Sequence, residues 1–529
     1  MNFRTQGWLA ALTGLISAVV VLGSAEACAL FTGNAGSPLF AVGSLVIDLA
    51  PPGAKDFMIA LFGTGDKAAL LTLLGILIVA GSSVAGWVEL RKAPWGVVIF
   101  GVASLVAIVA VLTRADASGL DGVPTVIGAV AGVIVLRSGI RRLRLWRAAA
   151  ERNAHVADQG RVPSRFVQGT PVERRSFLTM SIVAGALALV AGTGARIVNA
   201  GATAVTEVRK KITLPAAATP APALATGTSL DVPGISAVVT PNSTFYRIDT
   251  ALQVPSVDSD TWKLTVTGEV ENEIEIDFKE LLKKPLVEHY ATLTCVSNDV
   301  GGDLIGNALW LGWPIRDLLA LAQPKAGADM VLSTSIDGFT AGTPLSVLQD
   351  VNTESLLAVG MNGTPLPLEH GYPVRMVVPG LYGYVSATKW VVSLEVTRFS
   401  KAQGYWTPRG WDALGPAKLE SRIDTPRAGS AIPSATATVP IAGVAWCQHV
   451  GVSRVEVQID KGEWQTATLA DSISPDTWVQ WVYQWKPTKG SHQLQVRATD
   501  AKGNRQRQAY VSPAPNGAEG WHRINVVVN

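Results

Sequence analysis

The feature that most constrains this chain is a set of long uncharged apolar runs crowded into its first 200 residues, ahead of a remainder of ordinary soluble composition. A bilayer core about 30 Å thick is crossed by roughly 20 apolar residues in helix. Spans are predicted at Trp8 to Leu30, Ala68 to Val88, Trp95 to Leu112, Val123 to Ile140 and Phe177 to Ala195. The fourth is short and carries Arg137 near its end, where a long side chain snorkels to the interface. Between the first two, "SPLFAVGSLVIDLAPPGAKDFMIALFG" holds Asp48 and the pair Pro51 and Pro52, and reads as interfacial or re-entrant.

The stretch from Arg137 to Arg175 reads as a loop and carries Arg137, Arg141, Arg142, Arg144, Arg147, Arg152, Arg161, Arg165, Arg174 and Arg175. Basic loops stay on the cytoplasmic side, so the span after it carries everything beyond about residue 200 outward. That junction, "ERRSFLTMSIVAGALALVAGTGA", looks like a twin-arginine export signal, with Phe177 and Leu178 after Arg174 and Arg175; the simpler reading is a positive-inside anchor. The expected location is therefore the plasma membrane, multi-pass, with the soluble half on the extracytoplasmic side. A net charge of +3, with its basic residues beside the apolar runs, gives no sign of a nucleic-acid partner. The six histidines, His155, His289, His370, His449, His492 and His522, all lie outside the predicted spans, and no CxxCH occurs, so no haem is predicted.

The 529 residues are too many for one core. We read a transmembrane helical anchor over 1–200, a linker rich in Ala, Pro and Thr over 201–235, an α+β domain over 236–418 and an all-β domain over 419–529. In the third part, strand-like "WKLTVTGEV" alternates with helix-like "DFKELLKK" and "PIRDLLALA". The last part has short alternating strands such as "VSRVEVQID" and "TWVQWVYQWK", as in an immunoglobulin-like sandwich. Its tryptophans, Trp446, Trp464, Trp478, Trp481, Trp485 and Trp521, read as core or interface anchors.

Three cysteines build no disulfide framework, and Cys28 and Cys447 read as buried, inert thiols. Cys295 ends a β-branched run just before a polar, glycine-rich turn, "ATLTCVSNDVGGDLIG". Locally it could be a structural thiol, a nucleophile or a single-thiolate ligand for a soft metal; a zinc site would need companions that its neighbourhood lacks.

The ordered series "TPNSTFYRID", "TCVSNDVGG", "LWLGWPIRDLL", "SIDGFT", "MNGTPLPLEHGYPVRMVVPGLYGYVSATKWV" and "GYWTPRGW" resembles the sulfite oxidase family of molybdopterin enzymes, from about residue 236 to the end of the chain. The last domain resembles that family's dimerisation domain, which implies a possible homodimer. The resemblance implies a molybdenum–molybdopterin cofactor, with Cys295 as the thiolate on the metal. It places Asn242, Phe245, Tyr246 and Arg247 where the family holds cofactor and faces substrate, and Asp337, His370, Arg375, Ser386, Thr388 and Lys389 at the pterin and its phosphate. Arg375 and Lys389 can neutralise a phosphate and His370 can hydrogen-bond it. Two departures concern substrate: where sulfite oxidases carry arginines after the cysteine, Asp299 and Val300 follow Asn298 here, and Gln403, with Tyr405 nearby, stands at the family's active-site tyrosine.

The chain thus reads as a membrane-anchored, outward-facing oxidoreductase. Cys295 and Arg247 are its catalytic pair, its substrate is a small-molecule or protein-bound S- or N-oxide or oxyanion, and its electron-transfer partner is unidentified. The alternative is a cofactor-free envelope scaffold; a transporter is weaker, because the spans hold few charges and no repeat.

Overall fold

The computed structural model describes residues 3–32, 37–51, 65–114, 119–158, 201–433 and 438–529, with positions 58, 61–62, 117, 175, 178–180 and 182–186. Two compact units emerge, one of residues 1–204 with 250–253, the other of 205–249 with 254–529.

The first unit is helical: α1 (Phe3–Thr32), α2 (Pro38–Asp48), α3 (Asp66–Arg91), α4 (Trp95–Leu112) and α5 (Val123–Asp158). Four of these, α1, α3, α4 and α5, are long and apolar enough to cross a membrane. At 11 residues α2 is too short to cross, in keeping with an interfacial or re-entrant segment. Small residues let the helices close up: a methyl group at Gly14 would meet the Ser82 carbonyl, and one at Gly86 the Ala10 carbonyl. The fifth predicted span falls largely outside the described residues, as do Arg161, Arg165 and Arg174. One expectation is corrected: Arg137 to Arg152 do not sit in a loop but on α5, which continues to Asp158. Arg, Leu, Ala and Glu are all good helix formers, so the helix outlasts the apolar run.

The second unit begins within α6 (Gly201–Lys211), at Val205; Arg209 of this helix donates to the carbonyls of Leu366 and Pro365 at 2.6 and 2.8 Å. The Ala- and Pro-rich stretch that follows is extended yet docked: Ala218 N–H donates to Leu286 O, and Thr219 bridges Val287. Its α+β part contains β1 (Lys263–Gly268), β2 (Ile274–Asp277), β3 (Val287–Thr294), β4 (Ile305–Pro314), β5 (Met330–Ser335), β6 (Thr340–Pro344), β7 (Leu356–Met361), β8 (Thr364–Pro365), β9 (Arg375–Val377) and β10 (Val391–Thr397). They form two sheets, β2-β1-β10-β5-β6 and β3-β4-β7-β8, with β9 on β7. Short helices α7 (Phe278–Leu282), α8 (Ile315–Ala322) and α9 (Leu345–Gln349) connect them. A capping box starts α7, Asp277 accepting the Glu280 N–H and Glu280 accepting the Asp277 N–H.

The C-terminal part holds β11 (Glu420–Thr425), β12 (Ala431–Ile432), β13 (Val439–Trp446), β14 (Val452–Ile459), β15 (Gln465–Thr466), β16 (Thr468–Leu469), β17 (Val479–Trp485), β18 (Gly490–Asp500) and β19 (His522–Val528). Its sheets, β11-β13-β17-β16 and β12-β19-β18-β14-β15, share one core containing Ile441, Trp481, Val457, Val496 and Val526. Trp446, Trp478, Trp481 and Trp485 are buried, while Trp464 and Trp521 meet edge to face at 4.9 Å. Cys447 is only half-buried rather than buried; its surroundings still push the thiol up to about 11, leaving it protonated and inert.

Candidate cofactor and active site

The site is built around the end of β3. Alternation along this strand turns Ala291 and Leu293 to the core that contains Phe245 and Trp310, and Thr292 and Thr294 to the opposite face. Cys295 continues the first set, is buried, and is fixed by its N–H donating to Leu304 O at 2.9 Å. Beyond it the chain turns, Asn298 Oδ1 accepting the Leu304 N–H at 2.8 Å.

An aromatic wall stands beside this strand. Phe245 stacks on Tyr246 at 5.2 Å and meets Trp310 and His370 edge to face at 5.9 and 5.5 Å. Burial holds the Tyr246 phenol far above its ordinary range, and the Cys295 thiol acts in the same direction. Asn242 donates to Met361 O at 3.2 Å and accepts from Asn362 Nδ2 at 2.7 Å.

The cationic group lies next to this wall. Arg375, 5% exposed, donates to the carbonyls of His370, Met376 and Ala387 and lies 5.1 Å over the Trp310 ring. Among the described residues no carboxylate pairs with it, and burial lowers its pKa to about 10. Lys389, also buried, donates to Asp249 Oδ2 at 2.6 Å and Glu369 O at 3.1 Å; burial lowers it to about 8 against the pull of Asp249. Asp249 also accepts from Arg247 Nε at 2.9 Å, so Arg247, Asp249 and Lys389 form one network of net charge +1.

His370 Nε2 lies 3.1 Å from Asn242 O, so this nitrogen carries the hydrogen. Burial, then Arg375, lowers the ring to about 4, so it is neutral and its Nδ1 can only accept. Donation to a phosphate therefore requires the phosphate's own charge to raise the ring's pKa first. The structure brings Asn242, Phe245, Tyr246, Arg247, His370, Arg375 and Lys389 into one connected group. Ser386 and Thr388 are fully buried but spend their hydroxyls inside the protein, on Tyr382 O at 2.9 Å and Ser333 Oγ at 2.7 Å. Asp337 sits in the β5–β6 turn, where its Oδ1 accepts the Phe339 N–H. Gln403 is exposed, whereas Tyr405 is half-buried under the Arg409 guanidinium, 3.8 Å above its ring.

Sequence reasoning missed Trp310, Asp249 and Asn362. Only Asp249 left a local trace, two residues after Arg247. A further group was also missed, the C-terminal clamp on β3 and its loop. Thr292 N–H donates to Asp476 O, its Oγ1 accepts the Trp478 N–H, and its carbonyl accepts from Gln448 Nε2. His289 and His449 both donate to the Asp476 carboxylate, at 3.0 and 2.8 Å. Arg422 donates to Gly302 O at 2.7 Å, and the His522 ring packs on Gly301, whose φ of +79° and lack of a Cβ permit both turn and contact.

An uncompensated buried guanidinium is costly unless an anion joins it, so the donor set fits an anionic, phosphate-bearing group. The buried thiolate ligand candidate fits a soft metal. Residues 251–406 match the oxidoreductase molybdopterin-binding domain family. The mitochondrial sulfite oxidase of Homo sapiens is 29% identical over 343 residues, covering 55% of this chain and 62% of that protein. The sulfite oxidase of Arabidopsis thaliana is 28% identical over 305 residues, covering 47% and 76%. The chain therefore spans less than two thirds of the length of its mammalian relatives. The solved sulfane dehydrogenase SoxCD of Paracoccus pantotrophus aligns with 22% identity and a TM-score of 0.47, over 54% of this chain and 80% of that one. The segment that carries Cys295, His370 and Arg375 thus contains an oxidoreductase molybdopterin-binding domain, and this chain is similar there to the sulfite oxidases.

Proposed function

We propose that this chain is a membrane-anchored molybdopterin oxidoreductase, with its catalytic unit on the extracytoplasmic side of the plasma membrane. Its reaction is oxygen-atom transfer on a small or protein-bound S- or N-oxide or oxyanion. The observation that carries the reading is Arg375, a buried cation that pairs with no carboxylate among the described residues and lies over Trp310, in the core that also holds Ala291 and Leu293 of the Cys295 strand. Arg375, Lys389 and His370 hold the phosphate end of the pterin, with Asp337, Ser386 and Thr388 shaping the backbone around it. Cys295 Sγ is the protein's ligand to the metal. When bound, the molybdenum centre supplies a metal that changes oxidation state while oxygen is gained or lost by substrate.

The chain's own residues bind, orient and dry the site. Phe245 and Tyr246 exclude water beside Cys295. Arg247 presents a guanidinium that Asp249 orients and partly neutralises, suited to a single negative or polar oxygen. Asp299, exposed on the loop after Cys295, repels a second negative charge, which disfavours a dianion such as sulfite. Electrons pass to or from a separate partner without a haem in this chain. The domain division is the anchor 1–200, connection 201–235, catalytic part 236–418 and immunoglobulin-like part 419–529, the last being a dimerisation surface. Arg174 and Arg175 direct export of the folded unit, so replacing both by lysine should trap it inside the cell; unchanged surface exposure would support an ordinary anchor.

The deciding experiment is molybdenum analysis of the full-length protein beside Cys295→Ser. Near-stoichiometric metal that the variant loses supports the reading. A metal-free protein from cells that make the cofactor would overturn it in favour of the scaffold.

A further inference from the structure

Glu420 opens β11 directly opposite Trp446 of β13, so the two side chains leave the sheet on one face. On that face Trp446 packs against Ile305, the residue paired with Thr294 next to Cys295. Glu420 is 4% exposed, and among the described residues its Oε1 has no hydrogen-bond partner. Trp446 Nε1, Thr294 Oγ1 and Asn298 Nδ2 are in the same condition. Buried polar atoms without partners are the setting in which proteins hold ordered water.

The lysine nearest in sequence does not neutralise this carboxyl. Lys418 Nζ is already taken by Glu519 Oε1 at 2.7 Å, Asn516 Oδ1 at 2.8 Å and Gly517 O at 3.3 Å. Burial raises the Glu420 pKa well above its ordinary range; Asp299 and Glu519 push the same way, with Lys418 opposing. Tyr382 packs in one cluster with Val296, the residue after Cys295. It is 3% exposed, its hydroxyl accepts the Lys418 N–H at 3.4 Å, and its ionisation is opposed by burial and by both Glu420 and Cys295. On the outer side Asp299 is exposed and accepts from Tyr510 at 3.2 Å, and Glu519 also pairs with Arg507 at 2.9 Å.

We propose that Glu420 is a buried acid that exchanges protons with the Cys295 site through Tyr382 and with solvent through Asp299 and Glu519. The inference rests on the functional reading above, because oxygen transfer coupled to electron transfer must also move protons. Glu420 gives its proton inward and becomes a carboxylate; a solvent proton arriving from the Asp299 and Glu519 side restores the acid. In the opposite direction of reaction the same two steps run in reverse. Glu420 acts through Tyr382 and ordered water and is a positioning residue rather than a catalytic one.

The test uses metal-loaded, full-length protein and the variants Glu420→Gln and Tyr382→Phe. Infrared spectra across the neutral range should show a protonated carboxyl in the wild type that Glu420→Gln lacks. Both variants should retain molybdenum, turn over roughly 10²-fold more slowly, and lose the steep part of the wild type's pH profile. An ionised Glu420 at neutral pH would overturn the proposal, as would a metal-replete Glu420→Gln with wild-type rate and pH profile. A metal-loaded wild type without turnover would overturn the functional reading instead, while the infrared band still decides the state of Glu420.

Discussion

Arg375 and Arg497 are both buried guanidiniums lying over indole rings, yet they are held in opposite ways. Arg497, in the C-terminal sheet pair, lies 3.9 Å over Trp464 and donates to Glu456 Oε2 at 2.9 Å. Arg375 lies over Trp310 with only carbonyls for partners. The same packing therefore serves two ends. Arg497, whose charge is met by one side chain, belongs to the fold, whereas Arg375, which pairs with no carboxylate among the described residues, marks where a ligand belongs.

The sharpest test of that contrast starts at the metal. Cys295→Ser should abolish molybdenum retention and activity while the melting temperature of the metal-free protein stays close to wild type; normal turnover would sink the ligand assignment. Next come the two arginines. Arg497→Met leaves Glu456 with only the longer contact to Arg454 at 3.9 Å and should cost about 3 kcal/mol in a denaturant titration, with cofactor content per folded molecule unchanged. Arg375→Met should abolish cofactor retention yet leave metal-free stability within about 1 kcal/mol. Equal destabilisation by the two substitutions would erase the distinction.

Two histidines, His370 buried and His522 half-buried, extend the comparison to pH. His370 and His522 are both lowered to about 4, by burial and then a nearby arginine. Each holds fewer protons folded than unfolded between about pH 6.5 and 4, so stability falls as pH drops through that window. A bound phosphate should raise His370 and remove its share of the loss, leaving that of His522. Comparing urea midpoints at about pH 7 and pH 5, with and without cofactor, in His370→Gln and His522→Gln reads this directly. The smallest effect is expected at the rim: Tyr510→Phe removes one exposed hydrogen bond to Asp299 and should change stability by less than about 1 kcal/mol.

What the sequence disclosed follows the range of each interaction. Apolar runs report their own environment, and four of the predicted spans correspond to α1, α3, α4 and α5. The end of α5 was not legible, because a membrane boundary is set by hydropathy and a helix boundary by propensity and capping. The Ala- and Pro-rich connection revealed its extended conformation but not its docking on β3, since composition specifies a conformation without naming its partner. Cys295 stood out locally by chemistry. The bridging of Arg247 and Lys389 by Asp249, and the packing of Trp446, the strand partner of Glu420, with Ile305, arise only when distant segments meet.

The clamp on β3 sets an order of assembly. Thr292 is held by residues 448, 476 and 478, and the glycine turn after Cys295 by Arg422 and His522. A ribosome that has just finished β3 has therefore made the cysteine but not the parts that hold it in place. Those parts emerge between Arg422 and His522, well over a hundred residues later, so the setting of the cysteine is complete only after synthesis has passed His522.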